Sequence, residues 1–139
     1  MTARQPRFAL TAPVVPEHAE QRALNKVLTM EIAPAGHVSR EGVCWFSIDM
    51  SNSYDEVPGI RQGRGVIAGC PDVIFLYAGR AYWCELKARD GVLSNPQRSM
   101  AATLLLSGCR IGVATSVDDV LIALDAWGVP RKRMFKVAA

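Results

Sequence analysis

Apolar and polar positions along this chain recur with two periods, and the changes of period mark its elements. Behind Pro16, residues Glu17, Glu20, Gln21, Leu24, Val27 and Leu28 recur at offsets of three, four and seven, which is one face of a helix. Pro16 suits the opening turn, where its missing N–H costs nothing, and Pro34-Ala35-Gly36 stops the helix. Cys44 to Ile48 is aromatic and β-branched and reads as a strand. A polar, Gly-rich stretch from Ser51 to Gly65 reads as a mobile loop. Val73 to Tyr77 is a continuous apolar run, a buried strand, and Ala78-Gly79-Arg80 turns the chain into a third strand, Ala81 to Lys87.

Ser94-Asn95-Pro96-Gln97 carries the signature of a capping box, so a helix starts there, runs through Ala101 to Leu106 and ends near Gly108. Ile111 to Thr115 reads as a fourth strand. Ser116-Val117-Asp118-Asp119 opens a last helix, which closes near Gly128-Val129-Pro130. The order is α-β-β-β-α-β-α. The first three strands pair antiparallel, and the helix before the fourth permits a parallel crossover. The expected fold is α/β, a mixed sheet flanked by helices, with a flexible arm over 1–15, one domain over 16–128 and a basic tail over 129–139.

Composition supports a single globular domain: 139 residues, half hydrophobic, 21% charged. No apolar run approaches the roughly 20 residues that span a bilayer, and the basic N-terminal stretch is not a signal peptide, so no membrane association and a cytoplasmic location are expected. The net charge of +3 is compatible with nucleic acid without being diagnostic. Arg61 and Arg64 fall in the Gly-rich loop. Arg131, Lys132, Arg133 and Lys136 crowd the C-terminus and read first as a solvated tail. Cys44, Cys70, Cys84 and Cys109 form no CxxC pair and fit no zinc module, so buried free thiols are expected. His18 and His37 read as surface residues, and Tyr77, Tyr82 and Trp83 as core or interface.

The chemistry concentrates in Gly69-Cys70-Pro71-Asp72 and Glu85-Leu86-Lys87. Side chains alternate along a strand, so Glu85 and Lys87 share a face while Leu86 points away. The turn at Gly79 lets Asp72 lie beside Glu85. Two converging carboxylates repel unless a hard divalent cation lies between them. Mg²⁺ takes a few carboxylate oxygens plus water and substrate phosphate, and the Leu86 backbone carbonyl offers a further oxygen. Lys87 then contacts the attacking water or the scissile phosphate.

Pro-Asp followed one hairpin later by Glu-x-Lys resembles the PD-(D/E)xK nuclease superfamily. Gly69 to Leu76, Tyr82 to Lys87 and Gly91 to Gln97 look like its VRR-NUC (virus-type replication-repair nuclease) branch, as do Gly108 to Val113, Ser116 to Asp119 and the aromatic strand Trp45 to Ile48. The match runs over about residues 17 to 125. The resemblance implies a restriction-endonuclease-like fold, with Asp72 and Glu85 as metal-binding carboxylates and Lys87 as the catalytic lysine. It also implies Gln97 facing the site from the next helix and Glu20 as the acidic residue of the first helix. Further implications are a Mg²⁺ cofactor (Mn²⁺ as substitute), DNA, possibly branched, as substrate, a homodimer, and a setting in replication, recombination or repair in a bacterial or phage-infected cell. Relatives have a shorter turn where this chain reads Asp49 to Asn52, and the loop before Gly69 is poorly matched, so Arg61 and Arg64 are phosphate contacts on position alone.

Blander readings compete. A Glu/Lys pair at a strand end can be a simple surface ion pair. Gln97 is accounted for by capping alone, and Glu20 by the helix dipole, although it lies on the apolar stripe. The combination at hairpin spacing favours a metal-dependent DNA nuclease. A non-catalytic DNA-binding module of the same fold and a sequence-specific restriction-type endonuclease are the rivals.

Overall fold

The computed structural model describes residues 17–48 and 63–137. The elements are α1 (Glu17–Glu31), β1 (Cys44–Ser47), β2 (Val73–Tyr77), β3 (Arg80–Leu86), α2 (Asn95–Leu106), β4 (Arg110–Ala114) and α3 (Val117–Trp127). The order is the expected one, with strand limits displaced by a residue. The sheet runs β1-β2-β3-β4; the first two pairings are antiparallel, and β3–β4, joined through α2, is parallel. This is a mixed α/β fold with a four-stranded mixed sheet and three described helices. The N-terminal arm and most of the 51–65 loop, Arg61 included, lie outside the described residues.

Register follows from one tight turn. Tyr77 pairs with Arg80, and the two residues between them, Ala78 and Gly79, have φ of 49° and 76°. Positive φ at both central positions matches the right-handed twist of the flanking strands. Gly79 adopts it without a steric cost, whereas Ala78 carries a Cβ into the left-handed region.

The sheet has unequal faces. Trp45, Val73, Phe75, Tyr82, Cys84, Leu86 and Ala114 are buried in one core with Leu24 and Leu28 of α1 and Val120, Leu121 and Leu124 of α3. The Trp45 indole N–H donates to the Ala33 carbonyl at 2.7 Å, tying the end of α1 to β1. The Trp127 ring stacks on Tyr82 with centroids 5.4 Å apart. The opposite face is sparsely covered: Phe46, Leu76 and Val113 are exposed, and α2 buries no residue, its Leu105 and Leu106 lying in solvent.

The C-terminal stretch corrects the expectation of a solvated tail. The Arg131 side chain is 3% exposed. Its Nη1 donates to both Glu31 oxygens at 3.0 and 2.9 Å, and its Nε and Nη2 donate to Asp125 at 2.9 Å each. The Phe135 N–H donates to Glu31 at 2.9 Å, and the Lys132 N–H to the Glu31 carbonyl at 2.8 Å. Val129 is buried. The chain after α3 is thus clamped across the C-terminal ends of α3 and α1. The guanidinium holds the Asp125 carboxyl below the usual range, and Asp125 raises Arg131 in return.

Candidate active site

The hairpin register places Val73 opposite Cys84, and one step further Asp72 faces Glu85. Tyr82, Cys84 and Leu86 enter the core, so Glu85 and Lys87 project from the other face. Asp72 is held at three points. Its backbone carbonyl accepts from the Ile48 N–H at 2.7 Å, its carboxylate Oδ2 accepts from the Leu86 N–H at 2.8 Å, and the buried Pro71 precedes it. Lys87 follows the last residue of β3, yet its N–H donates to the Ala114 carbonyl at 2.8 Å and keeps it in the sheet. Its Nζ stands 3.6 Å from Glu85 Oε1. Glu85 itself is only 3% exposed.

Gln97 reaches this pair from α2 and serves the helix as well. Its Oε1 accepts from the Ser94 N–H at 2.9 Å while its own N–H donates to Ser94 Oγ at 3.3 Å, the reciprocal capping box. With Oε1 committed to the cap, the amide Nε2 is turned outward and donates to Glu85 Oε1 at 2.7 Å. Capping and contact with the carboxylate are therefore one arrangement.

Gly69 explains why α2 lies so close. Its φ is +92°, and a Cβ there would collide with the Pro96 carbonyl and come within 2.8 Å of the Gln97 nitrogen. The turn that delivers Asp72 rests directly on the first turn of α2, which delivers Gln97. Gly69, two residues before Pro71, belongs to the quoted motif, but neither it nor Pro96 carries a sequence signal for this approach.

The four principal residues, Asp72, Glu85, Lys87 and Gln97, are thus brought together. Leu86 contributes its N–H to Asp72 and buries its side chain. Glu20 is half-buried on α1. It does not join the pair in a larger acidic cluster: among the described residues no three His, Cys, Asp or Glu side chains form a group able to hold a metal ion. The N-terminal half of α1 does approach this end of the sheet, since Gln21, Arg22 and Asn25 line an open pocket of about 250 Å³ with Ser47. Arg64 is exposed, and so is His37. Trp83 shares the Glu85 face and gives it an aromatic flank. Cys84, between them in sequence, is buried in the core, where burial pushes its thiol up to about 12. It is no nucleophile at neutral pH.

One functional-looking group carries no motif in the sequence. Glu31 is buried as deeply as Glu85. It follows Leu24 and Leu28 on the apolar stripe of α1, the same anomaly that draws attention to Glu20. No helix among the described residues is long and apolar enough to cross a membrane. No protein-family model, curated protein or solved structure matches the chain.

Proposed function

We propose that the chain is a Mg²⁺-dependent deoxyribonuclease of the restriction-endonuclease-like, VRR-NUC type, hydrolysing phosphodiester bonds in structured or branched DNA. The supporting observation is the meeting of Asp72, Glu85 and Lys87 at one end of the sheet, with Lys87 Nζ 3.6 Å from a carboxylate that is almost fully buried. The mixed α/β fold with its four-stranded sheet is compatible with this reading.

The donor set fits a hard cation: two carboxylates from paired strands, with Gln97 fixing one and the Leu86 N–H fixing the other. Asp72 and Glu85 would hold the ion, with the Leu86 carbonyl as a further oxygen donor; Glu20 stands outside this set. Bound Mg²⁺ supplies Lewis-acid charge that offsets negative charge developing on the phosphate and acidifies water. Lys87 donates to a non-bridging phosphate oxygen or to the attacking water and keeps the nucleophile in line with the leaving oxygen. Gln97 restricts Glu85 to one orientation, and Arg64 contacts a flanking phosphate.

The test is cleavage of labelled duplex, flap and four-way-junction DNA in Mg²⁺, Mn²⁺ and EDTA. Wild type cuts in either metal and not in EDTA. Lys87→Met loses about 10²–10⁴-fold in rate, as expected when a group acting on a transferring proton is removed. Full activity in purified Lys87→Met, or cutting in EDTA, removes this metal–lysine site, and binding without cleavage of any substrate removes the nuclease reading in favour of a DNA-binding module.

A further inference from the structure

We infer that the end of the molecule remote from Asp72 and Glu85 carries a separate docking surface for nucleic-acid phosphates, formed by Arg80, Arg110, Lys132, Arg133 and Lys136. Its location follows from the topology. β3 and β4 are parallel, so their last residues, Leu86 and Ala114, lie at the Asp72 end and their first, Arg80 and Arg110, at the other. In the register Arg110 is opposite Tyr82, and Arg80 is two residues before Tyr82 on β3. Both arginines therefore project on the face that carries α1 and α3. Helix α3 starts beyond Ala114 and runs back to this remote end, where Trp127 stacks on Tyr82. Helix α1 ends here too, beside Trp45. The segment after α3, clamped to Asp125 and Glu31, joins the same surface.

All five cations are exposed. The acids that face them are already engaged. Glu31 and Asp125 are both held by Arg131, and Arg133 also approaches Asp125 at 3.5 Å. Glu41 adjoins Arg40 in the turn after α1, so the two offset each other. By contrast, the Asp72 end also carries Glu85, Asp90, Asp118 and Asp119. It carries Lys87, Arg89 and Arg98 as well, so its charges are mixed, whereas the remote end is predominantly basic.

The surface is also preorganised. The Arg131 clamp fixes the backbone between Lys132 and Phe135 by hydrogen bonds at both residues, and Arg133 is held at φ 55°, a conformation L-residues rarely adopt. Three of the five cations are arginines, whose planar forks match phosphate oxygens. The segment is not helical, and among its described residues Met134 and Phe135 are the only exposed large apolar side chains, which is little for inserting into a bilayer. These features favour an extended polyanion. The choice of DNA over RNA rests on the proposed function; the surface itself does not.

Binding of a fluorescein-labelled DNA duplex is measured by fluorescence anisotropy over a salt series, in EDTA so that nothing is cut. Lys132→Gln/Lys136→Gln, two exposed positions whose side chains the clamp does not use, is expected to reduce the slope of log K against log salt by roughly 2. Adding Arg80→Gln and Arg110→Gln lowers affinity at low salt by at least about tenfold. Unchanged affinity and slope in folded variants overturn the inference. So does lost sedimentation with phosphatidylglycerol vesicles while DNA binding is intact. If wild type fails to cleave any substrate yet shows this charge-dependent binding, the surface stands and the nuclease reading falls. If wild type cleaves and the variants bind as tightly as it does, the nuclease reading stands and the surface falls.

Discussion

Two glutamates are buried among the described residues, and the molecule treats them in opposite ways. Glu31, 1% exposed, has both oxygens in contact with a buried guanidinium and a backbone N–H on one of them. Glu85, 3% exposed, meets the neutral amide of Gln97 at 2.7 Å, and the Lys87 ammonium stands back at 3.6 Å. Around Glu31, charge is matched at contact distance. Around Glu85, a second carboxylate, Asp72, is brought in across the hairpin. Burial of a carboxylate is thus no sign of function by itself; what distinguishes the two is the company each keeps, a guanidinium clamp at Glu31 and an amide, an ammonium and a second carboxylate at Glu85. The first arrangement closes the chain onto itself, and the second suits a cation that is not part of the polypeptide.

The comparison is broken most forcefully at Arg131. Arg131→Met strands a buried carboxylate, so about 3–5 kcal/mol of stability is expected to be lost, read from the urea midpoint. Cleavage per folded molecule should not change. Glu85→Gln should give the reverse, abolishing cleavage while leaving the urea midpoint unchanged or raised, because one of two facing charges is gone. A pair of variants that fell together in stability and activity would erase the distinction.

Gln97 sharpens it. Gln97→Ala removes both the cap and the contact with Glu85, and a rate loss of about 10–100-fold is expected for an outer partner of a ligand. Gln97→Glu preserves the capping box, since a carboxylate accepts from the Ser94 N–H equally well, but sets a charge against Glu85. Helix stability is then retained while activity still falls. Equal activity in wild type and Gln97→Glu would reduce Gln97 to a helix cap.

The smallest effect is on pH dependence. Arg131 holds the Asp125 pKa below its unfolded value, so this carboxylate contributes stability above the unfolded pKa of about 3.9 and loses it as pH falls through the lowered folded value. Asp125→Asn should flatten the acid limb of a stability profile below that pH and leave it parallel to wild type above.

Local pattern made much of this readable from sequence. The alternation through Glu85-Leu86-Lys87, the turn at Gly79 and the Ser94–Gln97 cap are all short-range, and the element order followed from them. That Asp72 lies beside Glu85 was legible from the turn at Gly79, but the register that sets them opposite was not, because Arg80 belongs to β3 and the turn has two residues instead of three. The clamp was not legible either, because Arg131 and Glu31 are 100 positions apart and neither belongs to a local motif. The cluster of basic residues that looked like a free tail is fixed by that one long-range contact. A charge on the apolar stripe of α1 was a legible clue, but it is Glu31 that is buried, whereas Glu20 is half-buried and joins no acidic cluster among the described residues. The exposure of α2 was equally hidden, since an apolar run reads the same whether or not anything covers it.

The central claim is that Asp72 and Glu85 together hold a divalent cation. Isothermal titration of Mn²⁺ into wild type, Asp72→Asn and Glu85→Gln tests it without DNA. The account predicts a binding isotherm in wild type that both substitutions abolish in folded protein. No heat in wild type, or the same isotherm in all three, would contradict it.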